Sequence, residues 1–98
     1  MKVIQTTQTF NHWFGTLRDK AIKTRIQVRI DRAAHGNYGD YKSVGQGISE
    51  MRLHFGAGYR LYFIEHGTEI IILLAGGNKS SQASDIENAI KLAHELKG

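Results

Sequence analysis

The sequence predicts an α+β fold: two N-terminal helices and a C-terminal helix packed on a twisted, mainly antiparallel sheet of three to four strands. Three observations predict it. Apolar residues recur with helical spacing at both ends of the chain. Between them the period changes to two over three short runs separated by glycine turns. The whole is 98 residues long, enough for one core and too little for two independent domains. Residues 1–98 are therefore expected to form a single domain.

The elements follow in chain order. Phe10, Trp13, Phe14 and Leu17 fall at i, i+3, i+4 and i+7, which predicts a helix over 6–19 with these side chains on its core face. Thr6, Thr7 and Thr9 are its N-cap candidates. The next segment, Asp19 to His35, is ambiguous. Ile22, Ile26, Ile30 and Ala33 suit a helix, while Ile26, Val28 and Ile30 alternate as in a strand. Its length, a cap at Asp19 and the Gly36-Asn37 stop decide for helix.

GNYGDYKSVGQG, residues 36–47, holds four glycines in twelve residues and reads as a loop. Alternation then sets in over 48–55, with Met51, Leu53 and Phe55 on one face and Glu50, Arg52 and His54 on the other. Gly56-Ala57-Gly58 reverses the chain. In 59–65, Tyr59, Leu61 and Phe63 share one face and Arg60, Tyr62 and Ile64 the other. Ile70 to Ala75 is apolar on both faces, as a central strand is. Ser84 and Glu87 have capping-box spacing, and Ile86, Ala89, Ile90, Ala93 and Leu96 form the stripe of a last helix. Residues 2–5 offer an extra strand. All helices are expected on one sheet face, leaving the other face outward. Trp13, Phe14, Leu17, Ile26, Leu61, Phe63, Ile72 and Leu74 are the expected core.

Composition excludes several classes. The chain has no cysteine, so disulfides and thiolate metal sites are absent. Its longest apolar run, Ile70–Ala75, is six residues, far short of a membrane span. The start turns polar after Met1-Lys2-Val3-Ile4, without the apolar core of a signal peptide. No membrane association and a cytoplasmic location are expected. The five histidines (12, 35, 54, 66, 94) show no metal-ligand spacing, so neither metal nor cofactor is expected.

The formal net charge is +4 and the isoelectric point about 9.6. The excess lies in one stretch: Arg18, Lys20, Lys23, Arg25, Arg29 and Arg32 against Asp19 and Asp31. On a helix, Arg25, Arg29 and Arg32 align at i, i+4 and i+7. Such a stripe suits phosphate backbones, RNA or rRNA on a ribosome. It equally suits a solvated face or an acidic protein partner.

The outward sheet face carries the candidate chemistry. Arg52, His54, Arg60 and Tyr62 lie on it, Lys79 follows the third long strand, and Lys42 precedes the first. Cations around a His or Tyr suit phosphodiester cleavage. They stabilise the charge of a phosphorane, while His54 or Tyr62 moves the protons of the attacking 2′-hydroxyl and the leaving oxygen. Each has a structural alternative: Arg52 can pair with Glu50 or Glu65, and Tyr62 can cover apolar surface.

GNYGDYKSVGQGISEMRLHFGAGYRLYF, followed by LLAGGNKSSQASDIENA, resembles the HigB-like branch of the RelE/ParE toxin superfamily, the addiction-module killer proteins. The resemblance runs from TFNHWFGTLRD to the last helix. Its motifs are G-D-x-K-x-V-G-x-G, E-x-R, G-x-G-Y-R-x-Y-F and G-G-x-K-S-x-Q. It implies a RelE-like domain that cleaves mRNA, commonly on the translating ribosome. It further implies a helix-turn-helix antitoxin through which alone operator DNA is contacted. The matching positions are Lys42, Arg52, Arg60, Tyr62 and Lys79. Ala57 stands where the pattern has proline, and Asn78 where it has aspartate. ParE-like members poison DNA gyrase without cutting RNA, so a non-catalytic toxin is the alternative, with a basic RNA-binding module behind it.

Overall fold

Strand β1 (Val3–Thr6) runs along one edge of a five-stranded sheet, in which the chain's first strand is followed in space by its fifth, fourth, third and second. The computed structural model describes residues 1–97. After β1 come α1 (Gln8–Thr16), α2 (Lys20–Ala34), β2 (Tyr41–Gly45), β3 (Ile48–Arg52), β4 (Arg60–His66) and β5 (Ile70–Gly77). A single 3₁₀ turn (Lys79–Ser81) leads into α3 (Gln82–Lys97). β1 pairs parallel with β5, and all other pairings are antiparallel. The extra strand expected at residues 2–5 is thus present.

Local chemistry explains each boundary. Thr7 caps α1, accepting from the Phe10 amide at 3.0 Å. Asp19 caps α2 through the amides of Ala21 and Ile22. Residues 36–47 are not the continuous loop expected. β2 forms there, because Gln46 and Gly47 both take positive φ (58° and 76°), as a tight hairpin turn requires. The β3–β4 connection closes through Leu53 N–H to the Tyr59 carbonyl at 2.9 Å.

The helices do not share one face of the sheet. Phe10 of α1 and Ile26, Ile30 and Ala33 of α2 pack with Met51, Leu53, Leu61, Phe63, Ile71 and Leu73. On the opposite face Ala89 and Ala93 of α3 pack with Ile48, Tyr62, Leu74 and Ala75. The expected outward face is therefore covered. A bulge in β5 adapts the strand to two cores: Tyr62 pairs with Ala75 and Phe63 with Leu73, which leaves Leu74 as the extra residue. Leu74 and Ala75 then both meet α3. The alanines let α3 lie close to the sheet. Of the expected core, Ile26, Leu61, Phe63 and Leu74 are buried, while Trp13, Phe14, Leu17 and Ile72 are half-buried and pack against it.

Gly76 and Gly77 end β5 at the narrowest place. A side chain on Gly76 would run into the Trp13 ring, and one on Gly77 into the Asp85 carboxylate and Ser81. The pair faces α1 on one side and α3 on the other. Ser84 is not the cap of the last helix: α3 begins at Gln82, behind a capping box formed by Asn78 and Ser81.

Candidate functional site

The sheet register brings the candidates to one end. Arg52 of β3 stands opposite Arg60 of β4, and Arg60 opposite Gly77 of β5. Lys79 follows two residues later and is exposed, its amide bonded to the Ala57 carbonyl in the β3–β4 loop at 3.3 Å. Asn78 supports that turn by accepting from the Ser80 amide and hydroxyl at 2.9 and 2.6 Å. A neutral amide performs this capping. Lys42 lies in edge strand β2, exposed and level with Glu50 of β3.

The candidates divide into an exposed and a buried set. In the exposed set His54 Nε2 meets Asp40 Oδ2 at 2.5 Å, and Arg52 Nη2 donates to Asp40 Oδ1 at 3.1 Å. Arg52 thus pairs with Asp40 rather than with Glu50 or Glu65. The hydrogen bond from His54, aided by Arg52, holds the Asp40 carboxyl below its ordinary value against a smaller opposing effect of desolvation. Asp40 is ionised at neutral pH and can only accept, so Nε2 carries the hydrogen. In the neutral ring this leaves Nδ1 as an open acceptor. His54 keeps 71% of its side chain in solvent.

The buried set lies under α3. Glu50 is wholly buried, with Arg60 Nη1 at 3.6 Å and Gln82 of α3 donating to it at 2.8 Å. Arg60 is only 13% exposed. Tyr62, expected on an open face, is completely buried, its hydroxyl without a hydrogen-bond partner among the described residues. Burial, together with the Glu50 and Asp85 carboxylates, pushes its pKa far up. It stays a neutral phenol at any physiological pH. Asp85 accepts from Ser81 at 2.6 Å.

The arginine stripe is also divided. Arg25 and Arg32 are exposed, and the Arg25 guanidinium lies 3.9 Å from the centre of the Phe55 ring. Arg29 turns inward. It donates to the carbonyls of Arg52 and Tyr38 at 2.9 Å each and of Asp40 at 3.4 Å, and burial lowers its pKa. A side chain on Gly39 would strike this guanidinium, and Gly39 also has φ +63°. Arg29 is therefore the clamp that fastens the segment carrying Asp40 to β3. It is not the free docking cation expected.

Asp40 was absent from the expected site although it lies within the G-D-x-K-x-V-G-x-G motif. Its link to His54 spans fourteen residues, and nothing in spacing discloses it. For Glu50 the sequence suggests no role beyond pairing with Arg52. Among the described residues no helix is long and apolar enough to cross a membrane, and no three His, Asp or Glu side chains gather as a metal-binding group.

No family model matches the chain. An uncharacterised protein of Haemophilus influenzae is 46% identical to it over 93 residues, covering 95% of this chain and 94% of the relative. Among solved structures, a chain of the intact Escherichia coli RelBE toxin–antitoxin complex superimposes with a TM-score of 0.64, covering 80% of this chain and 96% of its own at 12% identity. The chain therefore belongs to one family with the Haemophilus influenzae protein and shares the fold of that chain of the RelBE complex.

Proposed function

We propose that the protein is the toxin of a toxin–antitoxin pair, of the HigB-like kind, and cleaves mRNA by attack of the 2′-hydroxyl on the adjacent phosphate. The observation that carries this reading is the Asp40-held His54 beside Arg52 at the sheet end shared with Arg60 and Lys79. The fold likeness to a chain of a toxin–antitoxin complex supports it. His54 Nδ1 takes the 2′-hydroxyl proton, and Asp40 fixes the ring and steadies the imidazolium that forms. Arg52 and Lys79 stabilise the phosphorane charge. The protonated ring then returns its proton to the leaving 5′-oxygen. Arg60 acts through its field and by shaping the floor. Tyr62 supports that floor rather than moving protons.

Arg25 and Arg32, with Lys42 on the β2 edge, provide cations for RNA or ribosomal phosphates. The cognate antitoxin would be a small helix-turn-helix protein through which operator DNA is contacted, and the place of action is the cytoplasm.

Induced expression with and without the neighbouring gene, followed by mapping of mRNA 5′ ends, tests the reading. Growth arrest with new 5′ ends, relieved by the neighbour and absent in His54→Ala, is the expected result. Arrest without new ends, accompanied by loss of DNA supercoiling, would instead identify a gyrase-directed toxin.

A further inference from the structure

Between α2 and the end of β3 lies a cleft of about 400 Å³. Its lining combines apolar Val28, Leu53 and Phe55 with the cations Arg25, Arg29 and Arg32 and with His54. No carboxylate among the described residues lines it. We propose that this cleft binds one nucleotide of single-stranded RNA, its base on the apolar side chains and its phosphate on Arg25 and Arg32. The inference rests on the RNA-cleaving reading above and adds to it where the strand runs.

Size, chemistry and position support this occupant. The volume falls in the range of small-ligand pockets, roughly 300–1,000 Å³, and suits one mononucleotide. The lining is partly apolar and aromatic, and the Arg25 guanidinium carbon lies over the Phe55 ring, 3.9 Å from its centre. Flat π surfaces of this kind stack bases without demanding a sequence. Arg32 makes no side-chain hydrogen bond or ion pair among the described residues, so its charge is available to a phosphate.

The position is the stronger argument. His54 lines the cleft with the same ring whose Nε2 is fixed by Asp40. Arg52, the other partner of Asp40, is two residues before it. A phosphate between Arg52 and His54 therefore has the cleft as the next place along the strand. An acidic peptide would satisfy the arginines but gains nothing from an aromatic lining or from proximity to a proton-moving pair.

The test uses the purified full chain and the four 3′-mononucleotides, with inorganic phosphate as the comparison. Amide NMR titration should move Thr24, Val28, His54 and Phe55. Nucleotides should bind at least ~10-fold more tightly than phosphate, since the base contributes through stacking. Val28→Trp fills the cleft from a helix position that is already 40% exposed. With unchanged circular dichroism, it should weaken nucleotide binding at least ~10-fold, and Arg32→Gln should weaken it by a smaller factor.

Equal affinity for phosphate and nucleotide overturns the proposal. So do shifts confined to the β5–α3 turn, unchanged affinity in Val28→Trp, or tighter occupation of the same amides by an oligoglutamate peptide. The binding readout is independent of cleavage. A chain that binds nucleotides here but cuts no RNA keeps the pocket and loses the ribonuclease. One that cuts oligonucleotides with unchanged KM in Val28→Trp keeps the ribonuclease and loses the pocket.

Discussion

Arg60 stands 3.6 Å from Glu50, and the pair is sealed between the sheet and α3, with Glu50 wholly out of water. Removing the guanidinium strands a buried carboxylate, a loss of about 3–5 kcal/mol. Arg60→Ala should therefore lower stability by that amount in urea unfolding. On the outward sheet face expected from sequence, an exposed Arg60 could be removed without effect on the fold; buried against Glu50 it cannot. A Glu50→Leu/Arg60→Met double variant should recover most of the loss, because two apolar groups need no partner. Loss of RNA cleavage in Arg60→Ala is informative only at temperatures where the variant is folded.

Tyr62 should be replaceable. Its hydroxyl has no hydrogen-bond partner among the described residues, so Tyr62→Phe should change stability by less than about 1 kcal/mol, in either direction. Cleavage should persist, because the hydroxyl has no access to substrate. The two proteins should diverge at high pH. The unfolded tyrosine ionises near pH 10, whereas the folded one is held neutral well above that. Between these values the folded state binds the extra proton, so wild-type stability falls as pH rises. Tyr62→Phe should lack that part of the fall, as alkaline denaturant titrations would register.

His54→Ala should reduce RNA cleavage by ~10²–10⁴-fold, the usual worth of a positioned acid–base group. Stability should hardly change, since the ring is mostly in solvent. Asp40→Asn should lower the rate and alter the pH–rate profile, because Asp40 acts by fixing the ring. It should also flatten the acid limb of stability. The Asp40 carboxyl lies below its ordinary value in the folded protein, so its contribution is complete above roughly pH 4 and fades as pH falls through the folded value.

Arg29 and Arg32, three residues apart on α2, should behave as opposites. Arg29→Gln should destabilise the protein, freeing the segment that holds Asp40, because three backbone carbonyls lose their donor. Arg25→Gln/Arg32→Gln should leave the fold intact and weaken ribosome association. The log–log salt slope should drop by up to about 0.9 for each lost phosphate contact. Salt-titrated ribosome pelleting measures it, and an unchanged slope would assign these arginines to a solvated face.

Periodicity made most of the scaffold legible. The spacing of Phe10, Trp13, Phe14 and Leu17 and the Asp19 cap disclose the first two helices. Alternation around Met51–Leu53 and Leu61–Phe63 discloses the strands and the face that meets those helices. Local pattern also held Arg52 and Arg60 on one face, because side-chain direction in a strand follows parity alone. β2 escaped, since glycines that mark a loop also make a hairpin turn when two successive φ angles are positive.

The sequence by itself determined which residues share a face, because that depends only on the repeat of the backbone. What covers each face was decided by the tertiary structure. Apolar residues on both sides of β5 signalled two covered faces, but the burial of Tyr62, Glu50 and Arg60 required α3 to cross the second one. Likewise Asp40 meets His54, and Arg29 meets the Tyr38 and Arg52 carbonyls, only because the chain folds back over 9 to 23 residues to satisfy groups that have no local partner.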